Sequence, residues 1–196
     1  MNAQEKIKNK LSADEMVIVG IGASAGGLEA LEAMFDQMPN NCGMAFVIVQ
    51  HLSPDFKSLM VELMGRHTKM AIHRVTNNML VEPDSLYLIP PKRDMIIKDG
   101  RLLLTERKTP PKTLSLPIDH FLKSLAAERG NKSVAVILSG TGSDGSRGIR
   151  DIHDAGGLVI VQSIDSAKFD GMPRSCLLYT SPSPRDLSTS RMPSSA

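Results

Sequence analysis

Three short motifs in this 196-residue chain contain side chains suited to acyl-transfer chemistry. Ser24 lies in Gly22-Ala23-Ser24-Ala25-Gly26, His51 in Val49-Gln50-His51, and Asp144 in Ser139-Gly140-Thr141-Gly142-Ser143-Asp144-Gly145. A serine hydroxyl attacks a carbonyl poorly unless a base takes its proton, and an imidazole base works best when a carboxylate holds its tautomer. Ser24, His51 and Asp144 are therefore a candidate nucleophile, base and orienting acid. The small residues around Ser24 suit a sharp strand-to-helix turn that exposes the hydroxyl and leaves backbone N–H groups free. Each motif also has a plainer reading. Residues 22–26 fit an ordinary glycine-rich turn, and Asp144, in a glycine-rich turn before a helix, fits an N-cap. His51 competes with His67, His73, His120 and His153, and its position directly after a strand is what favours it.

The elements that must position these residues follow from hydrophobic period. Continuous apolar, β-branched-rich runs at 16–21, 44–49, 134–138 and 158–161 read as strands. Between them, Leu28, Leu31, Phe35 and Met38 follow helical spacing, as do Leu59, Met60, Leu63 and Met64, and the Ile118, Phe121, Leu122, Leu125, Ala126 series behind Pro117. Another helix is expected near 147–155. Strands apolar on both faces and separated by helices imply an α/β fold: a doubly wound, mostly parallel sheet with helices on both faces. Ligand sites in such sheets lie beyond the carboxyl ends of the strands, where all three motifs fall. Asp99-Gly100, between two apolar runs, predicts an antiparallel β-hairpin near 95–105. Residues 1–15 read as a polar arm, 16–175 as the catalytic domain, and 176–196, rich in Ser, Pro and Arg, as a disordered, non-native tail.

Composition narrows the function classes. Against 21 acidic residues stand 23 Lys and Arg, for a net charge of +2, so there is no electrostatic case for nucleic acid. Cys42 and Cys176 are the two cysteines, and no secretory signal opens the chain, which suits a reducing cytoplasm. No apolar run approaches the ~20 residues that span a bilayer, so no membrane insertion is expected. Gly20, Gly22 and Gly26 also invite a nucleotide-binding reading, but their spacing departs from the dinucleotide fingerprint and the second strand ends without an acidic residue for a ribose. An ordinary α/β-hydrolase runs Ser, Asp, His along the chain, whereas His51 here precedes Asp144.

From about residue 17 to residue 175 the chain resembles the catalytic domain of the chemotaxis protein-glutamate methylesterase (CheB) family. The resemblance rests on Gly-Ala-Ser-Ala-Gly-Gly at 22–27, Val-Gln-His-Leu-Ser-Pro at 49–54, Tyr-Leu-Ile-Pro-Pro at 87–91, Leu-Ser-Gly-Thr-Gly-Ser-Asp-Gly at 138–145 and Phe-Asp-Gly-Met-Pro-Arg-Ser at 169–175. It implies Ser24 as nucleophile, His51 as general base and Asp144 as the residue that orients it, with the N–H groups near Ala25 and Thr141 stabilising the oxyanion. Thr141 stands where many stand-alone members have Met. The implied substrate is a glutamyl methyl ester on the cytoplasmic helices of methyl-accepting chemoreceptors, with glutamine deamidation as a related activity and neither cofactor nor metal required. The blocks look closest to the methylesterase domain that begins methylesterase-methyltransferase (CheB/CheR) hybrids, so a fused or separate methyltransferase is an expected partner. The family pattern would continue past Ser175 with further apolar helix and strand, which makes the domain a C-terminally truncated one on this reading. The competing expectation is a catalytically idle interaction domain of a signalling hybrid.

Overall fold

The computed structural model describes residues 15–50, 59–91, 93–106 and 116–180. The apolar runs form the centre of a six-stranded parallel sheet: β1 (Ile18–Ala23), β2 (Ala45–Gln50), β3 (Ala71–Arg74), β5 (Ser85–Leu88), β8 (Ser133–Ile137) and β9 (Leu158–Val161), in the spatial order β3-β5-β2-β1-β8-β9. Residues of β1 and β2 are buried throughout, which is why their sequences run apolar instead of alternating. Helices cover both faces. Leu31 and Phe35 of α1 (Gly27–Asp36) and Met60 and Met64 of α2 (Met60–Met64) pack on Val19, Ile21, Phe46 and Ile48. On the opposite face, α3 (Pro117–Arg129), α4 (Gly148–Asp154) and α5 (Gly171–Thr180) bury Phe121, Leu122, Ile149, Ile152 and Met172 against Val47, Val49 and Ile137. The architecture is the α/β, doubly wound one read from the sequence.

The expected hairpin is present as β6 (Arg93–Lys98) and β7 (Arg101–Glu106). Asp99 and Gly100 both have positive φ, 51° and 68°, as a tight hairpin turn matched to strand twist requires. Short β4 (Met79–Leu80) joins β7 and makes a separate three-stranded antiparallel sheet. Met95, Ile97 and Leu102 turn its apolar face onto the core beneath α3. One boundary differs from expectation. The sequence break at 175/176 falls inside α5, which runs on to Thr180 with Cys176 fully buried; the pull of that buried side chain outweighs the change in composition around it. The remainder of the expected tail, 181–196, and residues 1–14 of the arm lie outside the described residues. Among the described residues, no helix is long and apolar enough to cross a membrane.

The winding fixes where chemistry can occur. Strands β2 and β8 flank β1 on opposite sides, so the chain leaves β1 in one direction and returns beyond it in the other. The crevice opened at such a switch point, at the carboxyl ends of β1 and β8, is the preferred ligand position in open α/β sheets.

Candidate active site

Ser24 is the residue immediately after β1 and sits in that crevice. Its N–H donates to the Ser139 carbonyl at 3.0 Å, and its own carbonyl accepts from Gly27 N–H at 3.0 Å, closing the turn into α1. Gly26 holds a left-handed φ of 69°, and a side chain there would come within 2.9 Å of Ser139 Oγ. Gly26 is thus required by the turn. Just beyond β8, the backbone of Gly140 passes so close to the Ser24 turn that an added Cβ would lie 2.9 Å from Ser24 Cβ and would collide with Met172 Sδ. The N–H groups of Ala25 and Thr141 are engaged by no acceptor among the described residues.

Ser139, which sequence reading passed over, ties this corner together. It is fully buried; its hydroxyl donates to the Ala25 carbonyl at 2.8 Å and accepts from Phe169 N–H at 2.9 Å, while its N–H donates to Gln162 Oε1 at 2.8 Å. The serine turn, the end of β8 and the strand-to-helix link before α5 are thereby one hydrogen-bonded unit.

Asp144 is 4% exposed. Its Oδ2 accepts from Ile118 N–H at 3.1 Å and its Oδ1 from Asp119 N–H at 3.0 Å, both at the amino end of α3. The capping alternative raised by the sequence is therefore realised on a different helix from the one that Asp144 precedes. Burial pushes the carboxyl up to about 6; the two amide donors oppose this, and the neighbouring Asp119 carboxylate adds to it. Asp119 returns the favour to the other helix: its Oδ1 accepts from Arg147 N–H at 2.9 Å and Gly148 N–H at 2.7 Å at the start of α4. Two acidic residues thus cap each other's helices.

His51 lies outside the described residues, directly after Gln50, which pairs with Ala23 in the β1–β2 register. The other histidines are accounted for elsewhere. His67 Nδ1 lies 2.8 Å from Asp36 Oδ1, His73 stacks on Tyr87 with ring centroids 5.2 Å apart on the far edge of the sheet, and His120 and His153 are exposed. Gln50 was also not singled out; it is 5% exposed, and its amide makes no hydrogen bond among the described residues. The glycines that suggested a nucleotide loop have another use. Side chains at Gly20 and Gly22 would come within 2.8 Å of Leu122 and 2.6 Å of Ile118, so these positions let α3 lie directly on β1.

The model of the CheB methylesterase family matches residues 19–194. The chain belongs to the CheB methylesterase family. It is 36% identical over 159 residues to protein-glutamate methylesterase/protein-glutamine glutaminase 2 of Xanthomonas oryzae pv. oryzae, a match covering 80% of this chain and 44% of that protein. A 118-residue stretch is 47% identical to an uncharacterised 104.1 kDa protein of Rhodobacter capsulatus, covering 60% of this chain and 12% of that one. The CheB methylesterase catalytic domain of Thermotoga maritima superposes with a TM-score of 0.73 at 29% identity, over 83% of this chain and 88% of that one. This CheB-family chain spans under half the length of these curated relatives.

Proposed function

We propose that this domain is a protein-glutamate methylesterase, hydrolysing glutamyl methyl esters and deamidating glutamine on the cytoplasmic helices of chemoreceptors, with Ser24, His51 and Asp144 as its triad. The observation that carries the reading is the junction of two motifs far apart in sequence. The Ser24 turn and the 139–146 segment meet at the switch point of a CheB-family fold, joined by the Ser24 N–H to Ser139 carbonyl bond. A buried carboxylate stands in the same segment. In the mechanism His51 accepts the Ser24 proton as Oγ attacks the ester carbonyl. The tetrahedral oxyanion is held by the Ala25 and Thr141 N–H groups, each worth ~10² to 10³ in rate if it acts like a typical oxyanion donor. Collapse expels methanol, protonated by His51, and water then cleaves the acyl-enzyme by the reverse path; from glutamine the leaving group is ammonia. Asp144 holds the imidazole by its N–H and stabilises the imidazolium.

The names of the relatives support the substrate class, and the cytoplasmic location follows from it. A fused or separate methyltransferase is the partner that would create the ester. A fluorophosphonate probe tests the reading: covalent labelling at Ser24, lost in Ser24→Ala, supports an esterase. A folded chain that never labels, yet binds receptor helices, identifies an interaction domain instead.

A further inference from the structure

The reciprocal caps give Asp119 a place in the reaction that follows from geometry. Asp144 hangs from two N–H groups of the first turn of α3, and one of those is Asp119's own. The Asp119 side chain in turn grips the Arg147 and Gly148 N–H groups, three and four residues beyond Asp144, at 2.9 and 2.7 Å. The orienting carboxylate is thereby clamped from both ends. One feature exceeds what a cap needs. Asp119 is 9% exposed, its Oδ1 receives both amide bonds, and its Oδ2 is buried with no partner among the described residues. An unpaired buried oxygen on an acid is costly, whereas Ser or Thr would cap α4 without it. A full carboxylate beside Asp144 is the feature to be explained, and Asp119 is among the influences raising Asp144 toward about 6.

We propose that Asp119 is a positioning residue for the hydrolysis: through the α3 and α4 amino ends it fixes the rotamer and placement of Asp144, and its negative charge makes the Asp144 carboxylate a stronger proton-holding partner for the base. This rests on Asp144 being the orienting acid. Among the described residues, Cys176 on α5 also faces the pair; its thiol is pushed up to about 12 by burial and by both carboxylates and so stays neutral over the working range.

The test uses the full chain and a peptide bearing a glutamate γ-methyl ester, with kcat, KM and the pH profile measured for Asp119→Ala and Asp119→Asn. Misplacing a catalytic group by about 1 Å costs ~10² in rate. Asp119→Ala is therefore expected to lose about 10² in kcat at nearly unchanged KM. Asp119→Asn keeps an oxygen for the Arg147 and Gly148 N–H groups, so it should recover most of that loss, and the acid limb of its profile should move to lower pH because the opposing charge is gone. A residue that merely stabilises the fold would change melting temperature in both variants and leave kcat per folded molecule and the acid limb where they are; that result overturns the proposal. Should Asp119→Ala fail to fold, the profile of Asp119→Asn decides alone, an unmoved acid limb counting against it. Asp144→Asn run alongside separates the two readings. If it turns over normally, the triad itself is wrong; if it is crippled while both Asp119 variants behave as wild type, only the role of Asp119 is lost.

Discussion

Replacing Asp144 by Asn separates catalysis from capping because the two roles have opposite signatures in the same protein. The carboxylate is 4% exposed and pushed up to about 6 from an ordinary 3.8, chiefly by burial. Between those values the folded chain binds a proton that the unfolded chain does not, so unfolding free energy falls as pH rises, by about 1.4 kcal/mol per pH unit. Across the whole interval the ionised side chain costs roughly 3 kcal/mol at neutral pH, a cost absent near pH 4. Asn carries no charge and escapes that cost, but only its Oδ1 can accept, so one of the two bonds from Ile118 and Asp119 N–H is lost, at ~1.5 to 3 kcal/mol for a bond to a charged group. At pH 7.5 the terms offset, and Asp144→Asn should unfold within about 1 to 2 kcal/mol of wild type. At pH 4.5 wild type should gain on the variant by a further ~2 kcal/mol. Turnover should nevertheless fall by ~10⁴, the loss seen when a triad imidazole is left in the wrong tautomer. Urea denaturation at both pH values, with ester hydrolysis at pH 7.5, reads all three quantities. Turnover within tenfold of wild type would remove Asp144 from the triad, and a stability difference independent of pH would show that its carboxylate is not desolvated as the structure has it.

The remaining expectations concern the other partners and their setting. Ser24→Ala, His51→Ala and the double variant should each lose on the order of 10⁶ in kcat, without multiplying, because both residues serve one proton-coupled step, as in the subtilisin series; His120→Ala, on an exposed position, should stay near wild type, and the reverse pattern would move the base to His120. Gly140→Ala places a methyl against Met172 and 2.9 Å from Ser24 Cβ, so ~10² in kcat and ~1 to 3 kcal/mol of stability should go, and an unaffected variant would show the 140 backbone sits elsewhere. In native protein a thiol reagent should modify half-buried Cys42 and leave Cys176 untouched until unfolding, since Cys176 is fully buried and its thiol is pushed up to about 12; early reaction at Cys176 would mean that α5 is not docked.

How much of this was legible in sequence depends on whether a feature is local. Strands β1, β2 and β8 were readable because burial on both faces leaves a continuous apolar run, and the β6–β7 hairpin because Asp99-Gly100 encodes its turn directly. β3, Ala-Ile-His-Arg at the sheet edge, carries no such run, and β4 is two residues long. Helix α5 is not legible in the sequence, because composition changes at 175/176 and Met172 and Cys176, four apart and both turned into the core, are a helical pair too sparse to stand out among serines and prolines.

Within the site, the same division holds more sharply. Ser24 and the Asp144 segment announce themselves by glycines that only a strained or close-packed turn requires, and the structure brings those two segments into hydrogen-bond contact. Gly20 and Gly22 carry an identical local signal, but it was spent on a different constraint, the approach of α3 to β1, so the nucleotide reading and the packing reading were indistinguishable until the helix was in place. Asp119 and Ser139 had no signal of their own: one is an acid in the first turn of a helix, the other a serine after a strand, and both descriptions fit innumerable idle residues. What distinguishes them is which amino ends and which carbonyls lie opposite. The Ser24 turn is fastened to β8 through Ser139, and Asp144 is fastened to α3 and α4 through Asp119, so the two halves of the proposed site are anchored to separate elements of the fold. Their relative placement then depends on how α3 lies on β1, and therefore on Gly20 and Gly22, residues that touch no substrate in the proposed mechanism.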